Sequence, residues 1–249
     1  MKDEIITQQI REKAARMISI LGLRSQPVGV RLLSEQHQAP EGATLLEQHR
    51  YCQALMKARH GVNVLLGAEN LSCPAAASVF GFRPLPEGLR SGKGLVGFGI
   101  VADEAVGKKM FEGIPKLRPG QIKWIHLFPL TKTVEPPDVV VVEDEAESLM
   151  WIALASLHAT GGERVQGSTA VLQATCVDST IIPFLEKRLN YSYGCYGCRD
   201  ATDMEKNEAV LGFPGGLLEG IVRHLEFLHE KAIPNSRSKN AWQALRKRS

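Results

Sequence analysis

The sequence has no hydrophobic stretch long enough to cross a bilayer. Its apolar runs, such as Val139–Val142, fall far short of the ~20 residues that a transmembrane helix needs. Residues 1–23 are charged and amphipathic, without the continuous apolar centre of a signal peptide. Membrane insertion and export are therefore not expected, and we predict a cytoplasmic protein.

The sequence also has little net charge. The formal charge is +3 over 249 residues, and residues 235–249 alone hold five basic side chains and no acidic one, so the rest of the chain is slightly negative. A body this close to neutrality lacks the electrostatic footprint of a nucleic-acid-binding protein. The basic segment, which includes Trp242, could touch nucleic acid or anionic lipid, but a flexible solvated tail is the usual role of such an end.

Cysteine is scarce and odd in number, with five residues. Without an export signal, this count favours a reducing compartment, where grouped thiols serve as metal ligands or redox groups more often than as disulfides. Two of the five lie in the stretch Tyr191–Arg199, Tyr-Ser-Tyr-Gly-Cys-Tyr-Gly-Cys-Arg. Small residues around thiols let the backbone approach a bulky group such as a metal cluster or a flavin ring.

What the chain does have is a strand and helix pattern that occurs twice. Apolar residues make up 44% and charged ones 23%, as in globular proteins. The first cycle has strands at 27–33 and 62–67, a helix at 45–60, and Cys73 before an alanine-rich helix. The second has strands at 139–142 and 165–174, a helix at 144–160, and Cys176. The pattern predicts an α/β fold of two diverged strand-helix-strand repeats, which form a mixed sheet flanked by helices, with helical N- and C-terminal segments.

We predict a single domain over residues 1–234, with repeat halves at about 24–130 and 131–230 and a basic tail at 235–249. The repeat relates Cys73 to Cys176, each leaving a strand at the start of a helix. Pro74 places Cys73 at or next to the N-cap. Because a helix dipole stabilises a thiolate at its N-terminus, both thiols are predicted to have lowered pKa values.

The glycines of Gly92–Gly97 match the dinucleotide-binding pattern G-x-G-x-x-G. That pattern should follow a buried strand, and Glu87-Gly-Leu-Arg-Ser precedes it here. We therefore predict a glycine-rich strand over 92–101 that approaches another backbone or a ligand closely.

The cysteine spacing discriminates between kinds of site. A zinc ribbon needs two C-x-x-C knuckles, and a bacterial ferredoxin needs a tight run of cysteines; neither is present. A thioredoxin-like motif stays open, because a helix could begin next to Cys195 and Cys198. We favour a cluster assembled from dispersed loops, with the ligands Cys52, Cys73, Cys176 and Cys195. Each could instead be a small core hydrophobe, since free cysteine is often buried.

The sequence resembles the family catalogued as domain of unknown function 169 over about residues 21–229. The similar motifs are Pro27-Val-Gly-Val, Cys52 with Ala58-Arg59-His60-Gly61, Cys73, Pro129-Leu130, Pro137-Asp138-Val139-Val140, Cys176 and Gly194-Cys195-Tyr-Gly197-Cys198-Arg199. The family motif Gly-Cys-x-Gly-x-Arg implies roles for Cys195, Gly197 and Arg199 and makes Cys198 a departure. The resemblance implies no particular reaction. Its members come largely from anaerobic archaea and bacteria, which suits an oxygen-sensitive cofactor.

These observations predict a protein that binds an iron–sulfur cluster of the [4Fe-4S] type, for electron transfer or for substrate binding at an open iron. Cys198 is a further candidate thiol, and Gly194, Gly197 and Arg199 are candidate ligand-binding residues. The alternatives are a metal-free thiol enzyme that uses Cys195 and Cys198, and a non-enzymatic ligand- or partner-binding module. The partner is a redox protein or a small molecule, not a membrane, and a homodimer is compatible with the sequence.

Overall fold

A mixed β-sheet with helices on both faces organises the chain. The computed structural model describes residues 2–247, with side chains from residue 4 onward, and within these residues the sheet has seven strands. The predicted α/β class, mixed sheet and helical termini are confirmed. The strands are β1 Val28–Leu33, β2 Thr44–Leu45, β3 Val64–Gly67, β4 Trp124–Pro129, β5 Val139–Glu145, β6 Asn190–Ser192 and β7 Glu208–Pro214.

The strand order is β2-β3-β4-β1-β5-β7-β6. β2 and β3 run parallel, and each other neighbouring pair is antiparallel. Strand β5 lies near the centre, which explains its unbroken run of valines, because both of its faces are buried. Val139 and Val141 contact the core on one face, whereas Val140 and Val142 contact the core on the other.

The α-helices range in length from 4 residues in α4 to 20 residues in α1. The α-helices are α1 Lys2–Leu21, α2 Tyr51–Arg59, α3 Pro74–Val79, α4 Glu87–Arg90, α5 Lys93–Gly97, α6 Glu104–Glu112, α7 Ala146–Ala159, α8 Ile182–Glu186, α9 Tyr196–Ala201, α10 Leu218–Glu230, α11 Ala232–Ser238 and α12 Asn240–Arg246. A π-helix spans Ala174–Ile181, and short 3-10 helices span Leu130–Lys132 and Gly215–Leu217. No helix in this part of the chain has the length and apolarity of a membrane span.

We call the face covered by α2, α3, the π-helix and α9 the cysteine face, and the opposite face the back face. On the back face, α1, α7 and α10 bury apolar residues three or four positions apart, among them Ala14, Met17, Ile152, Ile221 and Leu225. This spacing puts one stripe of each helix against the sheet. The predicted N-terminal helix is confirmed, and it ends before Gly22.

The strand predicted over 165–174 is wrong. Residues 163–170 have no regular structure, and the π-helix begins at Ala174 after a left-handed Gln173 with φ of 54°. The side chain of Asn190 holds this segment, because it accepts from the Ser168 N–H and donates to the Ser168 carbonyl, both at 2.8 Å. Cys176 therefore lies inside a π-helix and not at a strand end, so the predicted correspondence with Cys73 does not hold.

The strand predicted over 92–101 is also wrong, since this segment forms α5. Gly92 has φ of 84° and lies so close to α6 that a Cβ atom would meet Gly107 at 2.9 Å. The predicted close backbone approach is thus present, but it joins two helices. This packing explains the first glycine of the pattern, Gly92.

The C-terminal basic segment is helical over most of its length, as α11 and α12. Arg237 pairs with Glu147 of α7 at 3.0 Å and donates to the Leu21 carbonyl at 2.9 Å. These contacts fix α11 to the back-face helices. The predicted tail also includes Arg248 and Ser249, which lie outside the described residues.

Candidate functional site

A cleft of about 660 Å³ opens on the cysteine face, and all five cysteines line it. They come from four separate segments of the chain: α2, the start of α3, the π-helix and the start of α9. Cys52, Cys176, Cys195 and Cys198 are buried, and Cys73 is partly buried. The fold therefore brings together thiols that are as far apart in sequence as Cys52 and Cys198.

Cys52 lies in the first turn of α2. The helix predicted from residue 45 begins only at Tyr51, because Thr44 and Leu45 pair with β3. The Arg50 N–H donates to Oε1 of Gln53 at 3.0 Å and so helps to start the helix. The Cys52 thiol then points at the Gly197 carbonyl of α9, 3.9 Å away.

Cys73 is the N-cap of α3, as predicted, with Pro74 next to it. Cys176 lies near the start of the π-helix, where its thiol donates to the Gln173 carbonyl at 3.6 Å. The two thiols thus reach the cleft from different kinds of helix. Both are near helix N-termini, but only Cys73 is itself a cap.

The π-helix is stabilised by its own buried hydroxyls. Ser179 donates to the Ala174 carbonyl and Thr180 to the Thr175 carbonyl, each five residues back and each at 2.8 Å. The Thr180 hydroxyl also bonds the Tyr51 hydroxyl of α2 at 2.7 Å. These bonds join α2 to the π-helix and fix the relative placement of their cysteines. Wide helical turns of this kind occur frequently at functional sites.

The π-helix sits directly on the sheet at Gly212 of β7. A Cβ atom at Gly212 would overlap the backbone of Ser179, so no larger residue fits without a shift. Glycine is used here because two backbones approach closely. This contact holds the π-helix that carries Cys176 directly against the sheet.

Cys195 and Cys198 lie in the C-x-x-C segment at the start of α9. Their sulfurs are 3.0 Å apart, and both thiols are free. Cys195 is the N-cap, and its sulfur accepts from the Cys198 N–H at 3.4 Å. The Thr175 hydroxyl lies 3.6 Å from the Cys198 sulfur, which ties this pair to the π-helix.

The thiols perturb one another. Burial raises the pKa of Cys176, and the nearby sulfurs of Cys73, Cys195 and Cys198 raise it further. The hydrogen bond with Cys198 raises the pKa of Cys195, and burial adds to it. The lowered pKa predicted for Cys176 is therefore wrong, because desolvation and neighbouring sulfurs outweigh the helix dipole.

Cys198 is the most deeply buried of the five cysteines, with 2% of its surface exposed. Its hydrogen bond with Cys195 lowers its pKa, but the hydrogen bond with Cys52 and burial outweigh this and raise the pKa to about 12. The charge interactions thus connect all five thiols. Cys198, which departs from the family motif and is the further candidate thiol, lies within the group.

The three other candidate residues have different positions. Gly197 lines the cleft, whereas Gly194 and Arg199 are not among the described residues that do. The Arg199 guanidinium donates to the carbonyls of Tyr193, Glu205 and Glu208 at 2.6, 2.7 and 2.9 Å. It therefore clamps the loop that carries Cys195. Gly194, with φ of 85°, makes the turn into this loop.

The sequence interpretation missed a buried ion network at the end of α2. The Arg59 guanidinium lies 3.4 Å from Glu143, 3.3 Å from Glu208 and 2.7 Å from Asp203. Burial raises the pKa of Glu143 to about 7, although the Arg59 charge lowers it. In the sequence, only Arg59 in the motif Ala58-Arg-His-Gly could have indicated this network. An arginine in a predicted helix is usually exposed, so its burial could not be predicted.

The region does not contain a preformed site for a single metal ion. Among the residues that the structure describes, no three or more His, Cys, Asp or Glu side chains are arranged to hold one ion. The cysteines surround a space and do not converge on one point. Any metal group that they hold has to fill part of the cleft.

Comparison with known proteins gives a family. The model of DUF169, described as uncharacterised ArCR, matches residues 16–224. The uncharacterized protein MJ0308 of Methanocaldococcus jannaschii is 30% identical over 225 residues, which cover 89% of this chain and 96% of that protein. No solved structure matches the chain. A match of this extent, over the segments that carry all five cysteines, shows that the chain belongs to the DUF169 family.

Proposed function

We propose that the protein binds a [4Fe-4S]-type cluster through Cys52, Cys73, Cys176 and Cys195, in a reducing cytoplasm. One observation carries the proposal: five thiols from four separate segments line one cleft. The number of cysteines in the chain is five, so none is left elsewhere to serve as an ordinary core residue. Chance burial of free cysteine gives no reason for all five thiols to line one cleft.

The donor set fits a cluster better than it fits a single ion. Thiolates are the ligands of iron–sulfur clusters, and each cysteine of a four-iron cluster binds a different iron. The ligands therefore surround a bulky group, which agrees with thiols that line one cleft from four segments of the chain. When bound, such a group would supply one-electron transfer, and it would offer an open iron to a substrate only if one of the four thiols released its iron.

The raised thiol pKa values give a second argument. Cys176 and Cys195 are buried among other sulfurs, so their thiolates repel one another and lack a cation. A positively charged iron centre would remove this penalty, because a metal ion inverts the local pKa relations. Loading therefore releases protons and becomes more favourable as the pH rises.

The rest of the cleft has a protective role in this proposal. Apolar side chains such as Leu95 and Phe111 line it with the cysteines and limit the access of water. Hydrophobic surroundings and hydrogen bonds to sulfur tune the reduction potential of a cluster. The Cys198 N–H, which donates to the Cys195 sulfur at 3.4 Å, makes such a bond to an assigned ligand.

A redox dithiol is the second candidate, and the 3.0 Å distance between the sulfurs of Cys195 and Cys198 favours it. In this reaction both thiols form a disulfide and pass two electrons and two protons to a substrate disulfide, which becomes two thiols. The raised pKa of Cys195 disfavours it, because the attacking group has to be a thiolate. It also gives no role to Cys52, Cys73 and Cys176.

The deciding experiment is anaerobic reconstitution of the full-length protein with iron and sulfide, followed by metal and sulfide analysis. We expect a brown, oxygen-sensitive protein with nearly equal amounts of iron and sulfide. A protein that stays colourless and binds no iron under these conditions overturns the proposal.

Three serine variants separate the candidates. Cys176→Ser is expected to lose nearly all bound iron, whereas Cys198→Ser is expected to keep it. Loss of iron in Cys198→Ser contradicts the four assigned ligands. Cys195→Ser tests the dithiol, because turnover of a disulfide substrate that needs both Cys195 and Cys198, but not Cys176, supports that candidate and contradicts the cluster. Thermal unfolding of each variant shows that it is folded.

A further inference from the structure

The cleft is much larger than the group of thiols requires. Its volume is about 660 Å³, within the range of roughly 300–1,000 Å³ that is usual for small-molecule sites. The inorganic core of an iron–sulfur cluster would fill only a small part of it. The remaining space therefore needs its own explanation.

One wall of the cleft does not carry cysteines at all. It is formed by residues 86–111, in which α4, α5 and α6 pack on one another. The side chains that this segment gives to the cleft are apolar, and they are Pro86, Leu89, Leu95, Phe98, Ile100 and Phe111. Leu95 is buried, with 3% of its surface exposed, whereas Phe98 is 63% exposed. The large apolar ring of Phe98 is thus exposed at the cleft edge, where it can contact a ligand.

The part of the cleft lining next to Cys73 is apolar as well, apart from the sulfurs. Pro74, Ala75 and Ala76 of α3 face the cleft next to Cys73. The short side chains of this part of α3 leave space for a ligand. Ser72 and Gln173 add a few polar groups, which is the usual composition of a pocket that orients an organic ligand.

The charged groups of the cleft neutralise each other. Thiols and tyrosines apart, the ionisable residues of its lining are Arg50 and Asp200, and these two pair at 3.3 Å. A carboxylate or phosphate would therefore find no spare cation in this lining. An anionic or cationic ligand would lose hydration without a partner charge.

We propose that the space between residues 86–111 and the cysteines binds a neutral, largely apolar organic molecule. The ligand would lie between Phe98 and the thiols. The inference rests on the proposed function for what the ligand meets, namely a cluster beside it, but its binding does not depend on iron. The substrate class is then a neutral apolar organic compound.

The test uses 1-aminoanthracene, a neutral fluorescent aromatic, and the reduced full-length protein without iron. We expect saturable binding, displaced by naphthalene at least about tenfold more effectively than by naphthalene-2-sulfonate, because the anion has no partner charge in the cleft. Equal displacement by the two competitors overturns the assignment of a neutral ligand. Lack of saturable binding overturns the inference as a whole.

A matched pair of variants locates the dye. Phe98→Asp should weaken binding about tenfold or more, because it puts a charge at the cleft edge. Phe227→Asp on α10 is the control, since Phe227 is 62% exposed and lies on the back-face helix. Equal affinities of the two variants overturn the inference. Phe98→Ser, which adds no charge, replaces Phe98→Asp if that variant does not fold.

The two proposals can fail separately. Phe98-dependent dye binding by a protein that takes up no iron contradicts the cluster and supports the ligand site. If the protein takes up iron and Phe98→Asp binds the dye as tightly as the wild type, the result supports the cluster and contradicts the ligand site. Measuring iron content in Phe98→Asp completes the separation, because this variant should load as much iron as the wild type.

Discussion

On the back face of the sheet, long helices bury regular apolar stripes, whereas the cysteine face is covered by short helices and a π-helix. The back-face core contains residues such as Ile221 and Leu225 and no cysteine. The cysteine face buries four thiols and part of a fifth, together with the Arg59 ion network and hydroxyls such as that of Thr180. Left-handed residues at Val171 and Gln173 lead into its π-helix.

The two faces therefore contribute differently to the protein: the back face mainly stabilises the fold, whereas the cysteine face holds the candidate site. Regular apolar packing lowers the free energy of the folded state at little cost, because it leaves no polar group unpaired. Buried charges, crowded thiols and left-handed β-branched residues each cost free energy. In the proposed function, these features of the cysteine face would position the thiols of the site. The back face therefore supports a fold whose other face is free to carry the site.

The largest effect on stability is expected from Leu225→Ala on the back face. Leu225 is fully buried on α10, so its truncation should lower the free energy of unfolding by about 2–5 kcal/mol. Urea unfolding measures this loss. Phe227→Ala on the same helix, where the ring is exposed, should change stability by only about 0.5 kcal/mol. Iron bound per folded molecule should stay the same, and a lower value would contradict the independence of the two faces.

The second-largest effect on stability is expected from the titration of Glu143 on the cysteine face. Its pKa is raised from 4.5 to about 7, so the folded state holds this proton more tightly than the unfolded chain. Its contribution to stability is full below about pH 4.5 and is lost as the pH rises to about 7, by about 3 kcal/mol. Glu143→Gln should flatten this part of the stability curve.

Urea unfolding between pH 4.5 and 8 tests this prediction. Asp178, with a pKa raised by burial to about 6, contributes a decline of the same sign, so the variant keeps a smaller slope. Asp178→Asn measures that part separately. An identical slope in Glu143→Gln and the wild type would show that Arg59 keeps Glu143 charged throughout.

The smallest effect is expected from Gly212→Ala beneath the π-helix. The added methyl group would press on the Ser179 backbone and should cost about 1–3 kcal/mol. The displaced π-helix should also expose Cys176, which reaction with a thiol reagent would detect. Gly216→Ala is the control, because a Cβ atom there meets nothing within 4 Å. Equal thiol reactivity in the two variants would contradict the role of Gly212.

Much of the back face could be predicted from the sequence, whereas the cysteine face could not. α1 and α10 follow a helical period, which is a local property of the sequence. Strand β7 was missed because its cysteine-face positions include Glu208 and Gly212, which look like polar and turn residues. Only their partners, Arg59 and the Ser179 backbone, explain why they are buried.

The cysteines that the sequence singled out line one cleft, but their arrangement there could not be predicted. The strand predicted at 165–174 has no partner in the sheet, because Asn190 holds that segment through its side chain. The π-helix has no period of its own in the sequence, and bonds such as that from Ser179 to the Ala174 carbonyl create it. The assignment of iron to four of the five thiols stays a prediction.

The dispersion of the cysteines has a consequence for the order of biosynthesis. The first two thiols, Cys52 and Cys73, leave the ribosome long before Cys176 and Cys195 are made. β5 pairs with β7, which follows all the cysteines, so the sheet beneath the cleft is completed only by nearly the full chain. In the proposed holoprotein, iron delivery is therefore a late step, and a prematurely terminated chain would hold too few thiols to capture a cluster.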